Sequence, residues 1–320
     1  MSVESVQILA TKLRENVGRV IVGRDETVDL LLTAILSQGH VLLEDVPGTG
    51  KTMLAKALAK SLDLVFKRIQ FTPDLLPSDV TGMSIFDQKA VEFRFQPGPV
   101  FANIVLADEI NRATPRSQSA LLECMEEKQV TVDGVTRRLD LPFLVIATQN
   151  PIETQGTFPL PEAQLDRFFL KMRMGYPSTE EGMAVLSRFV SENPLDGLCP
   201  VASACGILDA QRAVTQVRVT EDVKRYIVQI VEHTRVAEAV ILGVSPRGSL
   251  ALMRAAQAWA AIAGRDYVQP DDVKAVAKPV LAHRIICRSA FGGAGRAAEE
   301  VVERVLAQVR VPTETLEDGQ

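Results

Sequence analysis

The chain of 320 residues has only four cysteines, Cys124, Cys199, Cys205 and Cys287, and none of them forms a Cys-x-x-Cys pair. That pattern suggests neither a disulfide framework nor a zinc site, so a reducing cytoplasmic setting is expected. The three histidines, His40, His233 and His283, are far apart and not at ligand spacing. They are expected to be structural or solvent-facing. No apolar run is long enough to span a bilayer, so no transmembrane segment is expected. The opening stretch MSVESVQILATKLREN spreads its charges and lacks a signal-peptide core. A strongly basic balance is also missing: the net charge is −5. This argues mildly against nucleic acid as an obligatory partner, although a local basic patch is compatible with it. No internal repeat is present. The charged and apolar fractions are ordinary for a soluble protein, and the length allows two domains.

The most informative stretch is VLLEDVPGTGKTML, at 41–54. A short apolar run ending at Leu43 reads as a buried strand. A glycine turn follows, then Lys51-Thr52 and a segment of good helix formers. Strand, glycine loop, Lys-Thr and helix together suit a phosphate chain. Glycines let backbone N–H groups face phosphate oxygens, and the helix N-terminus adds its positive dipole end. Lys51 would reach the β- and γ-phosphates, and the Thr52 hydroxyl would bind Mg²⁺. One position departs from the full pattern: Asp45 stands five residues before Gly50, where a first glycine is expected. The competing reading is a plain glycine turn with a surface lysine.

The second signal is NIVLADE, at 103–109. Four apolar residues run into Asp108-Glu109, so a buried parallel strand would deliver both carboxylates to the C-terminal edge of a sheet. Asp108 would hold Mg²⁺, and Glu109 would act as general base on water. A strand ending in an acidic turn is the simpler alternative, but less so downstream of a phosphate loop. Residues 143–148 read as another buried strand, ending at Asn150, which is placed to orient the attacking water or simply to turn the chain before Pro151.

Elsewhere, 3–17 and 26–37 read as helices. Between them, a segment containing Val22 and Gly23 either walls an adenine base or packs as core. Proline-rich 71–99 suggests a β-hairpin on a helix-capping segment, and such an excursion inside a compact domain is often functional. Residues 129–139 form a second hairpin pattern about Asp133-Gly134. The segment 159–168 opens a short helix carrying Arg167, and 169–174 reads as a last strand. A helix with a Thr cap and an acidic first turn follows at 177. Then 193–204 reads as loop, and 219–236, 247–263, 271–284 and 296–309 as helices. Taken alone, Arg167 and Arg247 read as surface ion-pair residues.

The strings EDVPGTGKT, LADEINRATPRSQSALLECMEE, ATQNPIETQGTFPLPEAQLDRFF and SPRGSLAL closely resemble the MoxR family of AAA+ ATPases. The resemblance covers about 17–290, and in that family the EDVPG loop without the first glycine is usual. It implies an α/β fold: an αβα P-loop core with a five-stranded parallel sheet, followed by an all-helical lid. The implied division is a core over 1–176, with a helix-2 insert at about 72–99 and a presensor-1 hairpin at about 129–140. A linker and lid over 177–311 and a disordered tail over 312–320 complete it. The implied catalytic set is Lys51, Asp108, Glu109, Asn150 as sensor 1, Arg167 as an arginine finger for a neighbouring subunit, and Arg247 as sensor 2. Val22, Gly23, Pro47, Gly48, Thr49, Gly50, Lys51, Thr52 and Met53 are the candidate ATP contacts, with Thr52 and Asp108 for Mg²⁺. Arg112 and Arg116 are candidates to line a subunit interface.

The resemblance further implies a homo-oligomeric ring, most simply a hexamer. Its clients would be partner proteins that it matures or activates, often with a von Willebrand factor A domain and sometimes in metal or cofactor insertion. Three rivals compete with this ATP-driven remodelling reading. A metal-chelatase motor subunit shares the clade, and the long PEAQLDRFF match speaks against it. A nucleotide-gated scaffold conflicts with the intact catalytic set. A DNA-remodelling motor sits poorly with the acidic balance.

Overall fold

A computed structural model describes residues 2–46, 48–151, 156–190, 193–288 and 294–312. The candidate contact Pro47 and the expected tail from 313 onward lie outside the described residues. Helices α1 (Val3–Gly18) and α2 (Asp25–Leu36) precede β1 (Val41–Glu44), α3 (Lys51–Ser61) and β2 (Phe66–Gln70). A short α4 (Pro77–Thr81) leads into the hairpin β3 (Gly82–Asp87) and β4 (Glu92–Pro97). Then come β5 (Ile104–Asp108), α5 (Pro115–Glu127), the hairpin β6 (Gln129–Val132) and β7 (Val135–Arg138), β8 (Leu144–Gln149), α6 (Glu162–Leu165) and β9 (Leu170–Met172). The remainder is α7 (Thr179–Arg188), α8 (Ala204–Val214), α9 (Glu221–Val236), β10 (Val240–Leu242), α10 (Pro246–Ile262), α11 (Pro270–Leu281), β11 (Ile286–Cys287) and α12 (Ala294–Gln308).

Strands β2-β5-β8-β1-β9 form one parallel five-stranded sheet in that order. Alternation along the strands sorts side chains to two faces. Val41, Leu43, Ile104, Leu106, Leu144 and Ile146 join the core formed with α1, α2, α3 and the C-terminal helices. Leu42, Val105, Ala107, Val145 and Ala147 join a smaller core with α5 and the 100–113 segment. Both faces are covered, which is why these strands read as continuous apolar runs rather than alternating ones. The apolar stripe Val6, Leu9, Leu13 and Val17 of α1 is buried, and Ser2 caps that helix by accepting the N–H of Ser5.

The structure corrects four local expectations. The stretch read as loop ends in Ser203, which caps α8, a helix the sequence reading left out. Arg167 is not on a helix: α6 stops at Leu165 because Phe168 and Phe169 turn into the core, and the Phe169 N–H bonds to His40 O to start β9. The cap of α7 is Ser178 rather than Thr179, in a reciprocal capping box with Glu181. The C-terminal helices also carry a two-stranded ribbon, β10 with β11.

Candidate active site

Strand register assembles the site. Leu43 pairs with Thr148, Glu44 with Gln149, Ala107 with Ala147 and Gln70 with Asp108. The phosphate-type loop, Asp108-Glu109, Asn150 and Gln70 therefore leave the sheet at the same C-terminal edge. The loop needs its glycines for backbone reasons, since Gly48 and Gly50 have φ of 85° and 90°. A Cβ at either would meet nothing within 4 Å, so the space above the loop is open. Gly50 is the N-cap of α3, which aims the free N–H groups of that helix at the loop. Lys51 Nζ donates to the carbonyls of Asp45 (2.9 Å) and Val46 (3.2 Å).

Asp45, in place of the expected glycine, ties the loop down. Its buried carboxylate accepts the N–H groups of Val46 (3.0 Å), Met174 (2.8 Å) and Gly175 (3.0 Å). Glu44 beside it binds Lys171 at 2.6 Å and Arg173 at 2.7 Å. Burial opposes that charge, but the two cations outweigh it and hold the carboxyl below its ordinary pKa. Gly175 also offers its carbonyl to Arg24 (3.3 Å), and Gly23 at φ 65° lies so close to the Glu181 carboxylate that a Cβ would overlap it. The Val22-Gly23 segment thus meets the loop through the chain that leaves β9.

At the end of β5, Asp108 Oδ2 accepts from Arg68 at 2.6 Å and Oδ1 from Thr148 Oγ1 at 2.6 Å. Glu109 has a left-handed backbone, φ 57°, a strained conformation for a non-glycine residue. The Thr148 hydroxyl holds it there by accepting the Glu109 N–H at 2.8 Å. The Glu109 carboxylate takes Gln70 Nε2 (2.8 Å) and Arg112 (3.1 Å), so Arg112 serves the acidic pair in its own chain.

Arg167 and Arg247 lie elsewhere. Arg167 precedes the start of β9, beside His40 at the start of β1, while the phosphate-type loop leaves the far end of that strand. The four residues of β1 span about 13 Å at roughly 3.3 Å per residue. Arg167 Nε contacts Glu126 Oε2 at 3.3 Å, and Arg247 Nη2 contacts Glu126 Oε1 at 3.0 Å. They line a cleft of about 640 Å³ with Lys128, Arg254 and Arg284. A larger cavity of about 1010 Å³, between β9, α6 and the β10–β11 region, is lined by none of the described residues of the phosphate-type loop. The candidate site is therefore defined by the loop and the carboxylates and not by cavity size.

A family model for the ATPase family associated with various cellular activities (AAA) matches residues 40–170, and one for the AAA lid domain matches 232–305. Chaperone MoxR1 of Mycobacterium tuberculosis is 43% identical over 92% of this chain and 80% of its own length. Protein MoxR of Paracoccus denitrificans is 33% identical over 92% and 93%. The chain belongs to the MoxR family of AAA+ ATPases. A crystal structure of a Cytophaga hutchinsonii protein, 41% identical, superposes with a TM-score of 0.89 over 97% of this chain and 98% of that one. The α/β core with a helical lid is the architecture of this MoxR-family ATPase.

Several groups around the candidate site and the Arg167–Arg247 cleft were not singled out from sequence: Arg68, Gln70, Thr148, Glu126 and Arg284. Thr148 and Glu126 fall within strings already noted, yet the partners of Arg68, Gln70, Thr148 and Glu126 lie 39 to 121 residues away. Arg284, only 8% exposed, donates to Asp166 Oδ1 (2.7 Å), Phe168 O (2.7 Å) and Phe169 O (3.1 Å), joining the lid helices to the Arg167 loop. Burial lowers its pKa, and the Asp166 carboxylate opposes that shift. Among the described residues, no helix is long and apolar enough to cross a membrane.

Proposed function

We propose that this chain hydrolyses ATP to ADP and phosphate at sites shared between copies in a homo-oligomeric ring, a hexamer in the simplest form. The energy is used to remodel client proteins in the cytoplasm. The observation that carries the reading is the separation of two halves of a site. The loop, Asp108-Glu109 and Asn150 leave one edge of the sheet, while Arg167 and Arg247 sit together at the other. A site needing both halves is completed by a neighbour.

In this reading Gly48, Thr49, Gly50, Lys51, Thr52 and Met53 cradle the phosphates, with Pro47 beside them and Val22 and Gly23 toward the base. Lys51 exchanges the Asp45 and Val46 carbonyls for β- and γ-phosphate oxygens. Thr52 and Asp108 are hard oxygen donors, and one carboxylate plus substrate phosphates suits Mg²⁺. That ion would supply positive charge to the transferring phosphoryl group. Glu109 takes the proton of the attacking water, and Asn150 orients that water. Arg167, as finger, and Arg247, as sensor 2, meet the charge from the next copy. The nucleotide-binding core is assigned to 1–176 and the linker and lid to 177–311. Client proteins fit the chaperone name of the mycobacterial relative, and a von Willebrand factor A domain in those clients is proposed from the family resemblance alone.

The test mixes two inactive preparations. Lys51→Ala copies keep the arginines and lose the pocket; Arg167→Ala copies keep the pocket and lose the finger, worth about 10³–10⁵ in rate. Mixing should restore part of the ATPase activity, in a concentration-dependent way. If Arg167 only pairs with Glu126 inside its own subunit, mixing restores nothing.

A further inference from the structure

Glu126 sits in the last turn of α5 and receives two guanidiniums from distant parts of the chain. Arg167 arrives from the loop before β9, and Arg247 from the first turn of α10. Neither cation is placed there by local preference. A helix N-terminus disfavours positive charge, so the first turn of α10 is a poor position for an arginine. Arg167 and Arg247 also repel each other, and Arg284 adds a third positive charge to the same cleft. A carboxylate between Arg167 and Arg247 removes most of that repulsion.

The contact is not a stabilising device in the ordinary sense. The side chains of Glu126, Arg167 and Arg247 are 38%, 33% and 49% exposed, and ion pairs this open contribute little to folding. What the carboxylate does is geometric. Each of its oxygens takes one guanidinium, so one carboxylate bridges the two forks. Arg167 uses its Nε and Arg247 a single Nη, which leaves the other nitrogens of both forks outside these ion pairs. Around them, cationic side chains outnumber the acids Glu126 and Asp166 in the cleft. The whole suits a phosphate chain, whose oxygens planar guanidiniums bind bidentately.

We propose that Glu126 is a positioning residue that holds Arg167 and Arg247 as one two-pronged clamp for the phosphate chain of a nucleotide in a neighbouring copy. This rests on the shared-site reading above. Without Glu126 the two guanidiniums separate, and only one at a time meets the transferring group. Misplacement of this kind costs about 10²-fold in rate.

The experiment uses full-length Glu126→Ala and Glu126→Gln. Glu126→Ala should lower kcat by about 10²-fold, while its affinity for a fluorescent ATP analogue stays at the wild-type value, because its own loop is untouched. Glu126→Gln should recover part of kcat, since the amide oxygen still accepts from one guanidinium. Mixing Glu126→Ala with Lys51→Ala copies should restore activity, because the second partner supplies an intact clamp to the first partner's intact pocket. Wild-type kcat in Glu126→Ala would overturn the proposal. So would a mixture that stays inactive while the Arg167→Ala and Lys51→Ala mixture recovers, since Glu126 would then act only within its own subunit. If neither mixture recovers, the shared site itself is refuted and the clamp with it.

Discussion

Thr148 Oγ1 lies 2.6 Å from Asp108 Oδ1, and the same hydroxyl accepts the backbone N–H of Glu109 at 2.8 Å. One fully buried side chain thus orients the candidate Mg²⁺ ligand and fixes the left-handed turn that aims the candidate base. Valine has nearly the same shape and no hydroxyl. Thr148→Val leaves the Glu109 N–H without that acceptor, at about 1–3 kcal/mol. It also frees the turn. The expected result is a melting temperature a few degrees lower and kcat for ATP reduced by about 10²-fold. Thr148→Ser should stay close to wild type in both. Steady-state hydrolysis and thermal melts decide it; a Thr148→Val enzyme with normal kcat would show that the hydroxyl has no part in the chemistry.

His40 makes stability depend on pH. Its ring is buried, Nδ1 accepts the Val145 N–H at 3.0 Å, and Nε2 donates to Met125 O at 3.0 Å. Both nitrogens are committed to the neutral form. Burial, the larger cause, and the nearby Lys128 charge lower its pKa from 6.5 to about 4. The unfolded chain therefore binds the proton first as pH falls. Stability from this group is complete above about 6.5 and declines toward pH 4, by about 3 kcal/mol in all. Denaturant titrations at steps from pH 7 to 4.5 should show that decline, and it should shrink in His40→Asn. An unchanged slope in the variant would mean that other groups carry the acid sensitivity.

What could be read in the sequence was local. Gly48 and Gly50 stand where φ is positive, Leu43 and Ala107 are the last buried residues of strands that end at Glu44 and Asp108, and Asp133-Gly134 turns a hairpin; each signal lies within a few residues of its consequence. Asp45 looked like a defect in the loop because the two N–H groups it serves at Met174 and Gly175 are 129 and 130 residues away. Helix α8 was hidden by Gly206 and the preceding Pro200, although packing of Ile207, Ala210 and Val214 against the rest of the core overrides those breakers. The string PLPEAQLDRF reads as a short helix that carries Arg167. The burial of Phe168 and Phe169 ends that helix early, and only the folded sheet provides the site that buries them. The pairing of Arg167 with Arg247 through Glu126 has no signature at any spacing.

Arg284 makes the position of the Arg167 loop a property of the lid. Its Nε and one Nη hold Asp166 Oδ1 and Phe168 O, each at 2.7 Å, and its other Nη reaches Phe169 O at 3.1 Å and Val280 O in the last turn of α11. His283 beside it contacts the same Phe168 carbonyl through Nε2 at 3.1 Å. A planar fork can serve a carboxylate and several carbonyls at once, whereas an ammonium is a point charge on a flexible stem. Arg284→Lys keeps the charge and loses the fork. Several buried acceptors on the Asp166–Phe169 turn are then left short of donors, at a cost of about 3 kcal/mol, the range seen when a buried pair is broken. The expected outcome is a clear drop in melting temperature, together with a fall in kcat that exceeds any change in affinity for a fluorescent ATP analogue, because the turn carries Arg167 and not the pocket. Arg284→Met should behave like the lysine variant in kcat, since neither presents a fork. If Arg284→Lys instead melts and hydrolyses ATP as wild type does, charge alone suffices at this position and the lid does not set the Arg167 loop through its guanidinium.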